Sequence, residues 1–171
     1  MTRHKSKILL VTETPPGTPN GFGVTLQCLF QDTQHEVLFT DAAFKEYGEK
    51  LGYTLAHVPF HKSKKFFIPF KLGKIPEWRG MFSKKWLLKN SIDNHSKVYA
   101  FVYSTECLLY AHWISTQQDI PLLIHLADHS DAFEQPRIAK ILMACSKLVC
   151  ITEDMKTKYE SCLLYTSPSP R

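Results

Sequence analysis

The sequence predicts an α/β domain built on a parallel sheet with helices on both faces. Short apolar runs recur at 7–12, 35–40, 53–60, 97–104, 121–127 and 147–152, with turn or loop residues around them. Segments with helical spacing stand between most of these runs. Such alternation points to crossover connections, because parallel neighbours cannot be joined by a tight hairpin. The length of 171 residues fits one domain, for which roughly 100–200 residues is usual.

Each element has a local reason. KILLVT (7–12) is short and apolar and stops at the Pro/Gly-rich stretch 13–23, as a buried strand does. Residues 24–32 read as a helix through Val24, Leu26, Leu29 and Phe30. HEVLFT (35–40) is a second strand, and 42–51 a short helix weakened by Gly48. YTLAHVPF (53–60) is a strand ending near Pro59. Residues 61–80 mix lysines and phenylalanines with Pro69, Gly73, Pro76 and Gly80, and read as a long loop. Residues 81–95 read as a helix with Phe82, Trp86, Leu88 and Ile92 near one face. Aromatic and β-branched residues mark 97–104 as a strand. A helix over 105–118 follows, with Thr105 as its expected N-cap. The strand 121–127 leads to a helix over 136–146, where Pro136 suits the first turn. The strand 147–152 leads to a helix from 153 to 161 that starts on Glu153 and Asp154, as the helix dipole prefers.

Composition narrows the function classes. Hydrophobic residues make up 44% and charged residues 22%, enough for a core and against global disorder. The net charge of +5 suits phosphates, nucleotides or an acidic membrane surface without choosing among them. The five cysteines form neither a CxxC pair nor a zinc spacing, so no metal is expected and buried, reduced thiols are. The apolar run Ile8–Val11 is shorter than the roughly 7–15 residues of a signal-peptide core. No run approaches the ~20 residues of a membrane span. A cytoplasmic protein is expected.

Residues 162–171 (CLLYTSPSPR) break the pattern, because Pro168 and Pro170 forbid helix continuation. The string resembles a translated sequencing-adapter read. The domain is therefore expected to span 1–161, truncated, followed by a non-native or disordered tail over 162–171.

In a doubly wound sheet the ligand sits at the C-terminal ends of the strands. Gly17, Gly21 and Gly23 lie between the first strand and the first helix, where backbone can approach an anion closely. A phosphate-binding P-loop would need glycine at 22, where Phe22 stands. As a dinucleotide fingerprint the segment is poor, since Leu26 occupies the third glycine position. Asp41, after the second strand, keeps a ribose-binding alternative open. Around residues 121–131, His125, Asp128, His129 and Asp131 cluster at a strand exit. Three readings stand there: loop capping, a metal site, or contact with a substrate whose hydroxyl must be activated.

KILLVTETPPGTPNGFGVTLQCLF (7–30) resembles the opening of family-4 type glycosyltransferases, which have the two-domain GT-B architecture: an apolar strand, a Pro/Gly loop, a glycine pair and a helix. IHLADHSD (124–131) and CSKLVCITEDMKTKYE (145–160) are similar to later parts of the same domain. The resemblance implies a Rossmann-like N-terminal, acceptor-side domain, lacking the donor-binding domain and inactive by itself. It implies sugar transfer from a nucleotide-sugar donor to a glycan or lipid-linked acceptor hydroxyl, with the nucleotide-sugar as substrate and no cofactor. By resemblance Asn20, Gly21, Phe22 and Gly23 approach the donor phosphates or the acceptor. His125 and Asp128 are the expected catalytic residues, and His129, Thr152 and Glu153 are expected to line the cleft. Thr152 and Glu153 also read as a helix cap and first turn.

Segment 60–74, with Lys62, Lys64, Lys65, Lys71 and Lys74 among phenylalanines, suits peripheral contact with an acidic membrane or a solvated charge run. No RNA-binding motif accompanies it, and no nucleic-acid partner is expected. Two other functions stay open: a nucleotide- or dinucleotide-binding module of an oxidoreductase, and a non-enzymatic interaction module.

Overall fold

The computed structural model describes residues 7–55, 95–129 and 131–165. Their strands are β1 (Lys7–Thr12), β2 (His35–Phe39), β3 (Thr54–Leu55), β4 (His95–Val102), β5 (Leu122–Leu126) and β6 (Lys147–Cys150). All five neighbouring pairs are parallel, in the order β3-β2-β1-β4-β5-β6. This is the doubly wound, Rossmann-like order. The helices are α1 (Gly21–Phe30), α2 (Lys45–Lys50), α3 (Thr105–Gln118), α4 (Pro136–Ala144) and α5 (Glu153–Tyr165). Short 3-10 turns at Ala42–Phe44 and Asp131–Glu134 precede α2 and α4.

Strand alternation divides the core in two. Leu10, Val37 and Phe101 pack with Leu26 and Phe30 of α1. Leu9, Val11, Val98, Ala100, Ile124 and Leu126 pack on the other side with Leu108 and Ile114 of α3, Ile138 of α4, and Met155 and Tyr159 of α5. Helices therefore cover both faces, as the sequence predicts. Each fully buried aliphatic or aromatic side chain contributes roughly 1.5–3 kcal/mol relative to exposure.

Several boundaries differ from the sequence reading. Helix α1 starts at Gly21 rather than 24, because Asn20 caps it: Asn20 Oδ1 accepts from Gly23 N at 2.8 Å. The glycine pair thus lies in the first turn of a helix. The cap of α3 is Ser104, whose hydroxyl accepts from Cys107 N at 3.3 Å, and Thr105 is the first helical residue. Asp119 ends α3 in the left-handed region at φ 53°, where an Asp side chain is tolerated. Helix α5 continues to Tyr165, beyond the expected stop at 161. His95, expected at the end of a helix, opens β4. The rest of the expected elements at 56–94, and the Lys/Phe segment 60–74, fall outside the described residues.

Gly48 has a packing reason to be in α2. A Cβ there would lie 2.4 Å from Cε1 and 2.5 Å from Cζ of the buried Phe39 ring. Helix propensity favours alanine by about 1 kcal/mol, but overpacking costs about 1–3 kcal/mol. Gly48→Ala should therefore lower the thermal unfolding midpoint. A midpoint that stays or rises would show that Phe39 has room to move.

Candidate functional site

The strand order reverses between β1 and β4, which are neighbours although the chain leaves them toward opposite edges of the sheet. That geometry opens a crevice beyond their C-terminal ends. Glu13 follows β1, Asp41 follows β2, and Tyr103 and Ser104 follow β4. Backbone bonds Thr40 N→Thr12 O (3.0 Å) and Asp41 N→Glu13 O (3.1 Å) carry the β1–β2 pairing past the strand ends.

Glu13 is the residue that sequence reasoning missed. It is 5% exposed. Its Oε1 accepts from Ser104 N at 2.8 Å, and both carboxylate oxygens lie 3.4 Å from Tyr103 N. Burial pushes its pKa up to about 7, against the hydrogen bonds from residues 103 and 104, which favour the ionised form. A perturbed carboxyl at a strand switch makes Glu13 a candidate site residue. The available signal was its place, directly after an apolar strand and before Pro15-Pro16.

Loop 13–20 folds back on α1. Gly17, at φ +80°, donates its N–H to Gly23 O at 2.9 Å and accepts at its own oxygen from the Tyr47 hydroxyl. A Cβ on Gly23 would lie 2.5 Å from Thr18 O, whereas one on Gly21 would meet nothing within 4 Å. Gly23 therefore serves loop packing, and Gly21 presents open backbone at a helix N-terminus.

Between the two glycines, Phe22 stacks on Tyr103 (4.7 Å, 17°) and meets Phe101 edge-on at 6.1 Å. Phe101 in turn meets His125 at 4.8 Å, its register partner on β5. The Gly21–Gly23 turn and His125 thus stand on one side of the sheet, joined through two aromatic rings. His125 lies within β5 rather than at its exit. Its Nδ1 shares a 2.8 Å hydrogen bond with Tyr99 Oη. Burial lowers the His125 pKa and raises that of Tyr99, so both are neutral near pH 7.

The other sequence-predicted residues have local partners of their own. Asp128 is exposed and its Oδ1 accepts from His129 N at 2.7 Å. His129 turns toward α5: its Nδ1 is 3.0 Å from Tyr159 Oη, and Lys158 Nζ donates to its Nε2 at 2.7 Å. His125 and His129 therefore face different neighbours. Thr152 Oγ1 accepts from Met155 N at 3.1 Å, capping α5, and Glu153 pairs with Lys156 at 3.3 Å on the surface. Asp41 Oδ1 accepts from Ala43 N at 2.9 Å. His129, Asp131 and Glu134 bring donor atoms within 4.8 Å of one another. The Lys158 ammonium already lies among them, 2.6 Å from Glu134 Oε1.

At the N-terminal ends of β2 and β3, a cavity of about 320 Å³ is lined by residues that include Leu9, Glu36, Leu38 and Tyr53. Glu36 there pairs with Lys7 and with His95 Nε2, the latter at 2.9 Å. None of the sequence-predicted site residues lines that cavity.

No protein-family model matches the chain, and none of the curated proteins does. Among solved structures it is similar to Anabaena HepE, crystallised in complex with UDP and glucose, with a TM-score of 0.56 and 16% identity. The match covers 93% of this chain and 41% of that one, so the chain spans about two-fifths of HepE's length. The likeness shows a shared α/β Rossmann-like fold.

Two tests follow from this geometry. The Glu13 carboxyl ionises around 4.5 in its ordinary state and around 7 when folded. Between those values the folded state binds more protons, so this group's contribution falls as pH rises and is constant above the window. The loss is on the order of 3 kcal/mol. Glu13→Gln should remove that slope and be more stable than wild type at pH 8. Denaturant curves from pH 4 to 8 that stay parallel for the two proteins would contradict this. Separately, Gly23→Ala should cost about 1–3 kcal/mol by clashing with Thr18, while Gly21→Ala stays within about 0.5 kcal/mol. Thermal unfolding that ranks the two the other way would show that the loop is slack.

Proposed function

We propose that the chain is the N-terminal, acceptor-side domain of a GT-B glycosyltransferase of family-4 type, which transfers a sugar from a nucleotide-sugar donor to a hydroxyl of a glycan or lipid-linked acceptor. One observation supports this reading: Phe22, in the first turn of α1, and His125 both meet the Phe101 ring edge-on. The leading N–H groups of α1 and its dipole suit donor phosphates, and Gly21 lets them come close. Asn20 and Gly23 hold that turn in shape. His125, kept neutral by burial, is in the protonation state that hydrogen-bonds an acceptor hydroxyl. Asp128, at the exposed end of the same strand, is the carboxylate nearest in sequence to assist it. His129, Thr152 and Glu153 would line the far flank of the rim. The presence of UDP and glucose in the HepE crystal supports a nucleotide-sugar on this fold.

In this reading the donor-binding half lies outside the 171 residues, and the cleft closes only with it. Residues 60–74 would give peripheral contact with the inner face of a membrane, on the strength of their lysines and phenylalanines. Among the described residues no helix is long and apolar enough to cross a membrane.

The strand order also favours a second reading, dinucleotide binding, since the order is shared with dinucleotide folds. The engagement of Asp41 with Ala43 N and the long loop 13–20 support it less.

Calorimetric titration separates the two. UDP-glucose should bind the chain weakly, and Gly21→Ala should weaken it about tenfold, roughly one backbone hydrogen bond. The chain alone should show no sugar transfer. Turnover by the isolated chain would contradict the fragment reading. Tight NAD binding abolished by Asp41→Ala would replace sugar transfer with the dinucleotide reading.

A further inference from the structure

We infer that Glu13 is the positioning residue of the rim: with Thr14 it holds Tyr103 at both ends and so fixes the Tyr103–Phe22 wall beside which the ligand lies. The ligand's class, a nucleotide-sugar, rests on the sugar-transfer reading, while the role of Glu13 rests on geometry.

Glu13 takes the backbone N–H groups of Tyr103 and Ser104. Thr14 Oγ1, one residue on, lies 2.9 Å from Tyr103 Oη. Two consecutive residues therefore grip the backbone and the phenol of one tyrosine. With both ends fixed, the Tyr103 ring lies nearly parallel to Phe22, in the first turn of α1. The path from the buried carboxylate to the open backbone of Gly21 is Glu13, Tyr103, Phe22.

A neutral acceptor would satisfy the two N–H groups without the cost of burying a charge. What a carboxylate adds is strength, because charge-assisted bonds to backbone N–H are roughly twice as strong as neutral ones. Its place before the N-terminus of α3 adds a favourable dipole. The titratable groups facing this cluster are Asp41 beyond β2, Tyr103 itself, and Cys107 in the first turn of α3. Burial raises the pKa of both Tyr103 and Cys107, so both are neutral where Glu13 titrates. Local stability alone does not call for such a group; a rim that must hold one shape does.

The test compares the wild-type chain with Glu13→Gln and Glu13→Ala, by amide hydrogen exchange at Tyr103 and Ser104 and by titration with UDP-glucose. Glu13→Ala should lower protection of both amides about tenfold and weaken UDP-glucose by a similar factor, whereas Glu13→Gln, which keeps an oxygen for Ser104 N, should recover both to within about threefold. In wild type the two amide resonances should shift with a midpoint of about 7, and in Glu13→Gln that shift should vanish. Should Glu13→Ala fail to fold, the wild-type and Glu13→Gln titrations decide. Unchanged protection in Glu13→Ala, or a shift that persists in Glu13→Gln, overturns the role. If wild type binds no UDP-glucose, the assignment of the α1 turn to donor phosphates fails, while exchange and titration at 103 and 104 still decide whether Glu13 positions Tyr103.

Discussion

Where β1 and β4 lie side by side, the chain leaves them in opposite directions, and the N–H groups of residues 103 and 104 need an acceptor that neither strand supplies. The side chain of Glu13 fills that need from inside the sheet edge. A charge there is expensive, and burial raises its proton affinity to near neutrality. The same contact ties the β1 exit to the β4 exit and fixes where α3 begins. A doubly wound sheet must resolve this junction somehow; here a titratable group does so in the crevice where such folds place ligands.

From that junction the rim is assembled by aromatic contacts. Tyr103 orders Phe22, Phe22 meets Phe101, and Phe101 meets His125. Glycines shape the neighbouring backbone in two different ways. Gly23 admits Thr18 against the helix, and Gly21 leaves open space beside the first turn of α1. Stability is spent on a buried carboxylate and on a loop folded tightly over α1, a pattern usual where a surface must keep one shape for a ligand.

Much of the fold was legible in the sequence. KILLVT coincides with β1, and 105–118 coincides with α3, where the buried Cys107, Leu108, Ala111 and Ile114 recur at helical spacing. Caps were harder: Ser104 and Thr105 are both capping types, and the turn at the end of β4 places Ser104 at the cap. Strand order was not legible, since pairing partners are set by tertiary contacts. The site was read only partly for the same reason. His125 and His129 are neighbours in sequence, yet strand alternation sends one toward Phe101 and the loop sends the other toward α5. Glu13 looks like any loop acid until β4 is known to end beside it.

The measurement that bears most directly on this account is the ionisation of Glu13, followed through the carbon resonance of its carboxyl group as pH is varied. A midpoint of about 7 is the predicted result. A midpoint at the ordinary value of 4.5 would mean that the carboxylate is solvated, and would contradict the buried junction on which the rim depends.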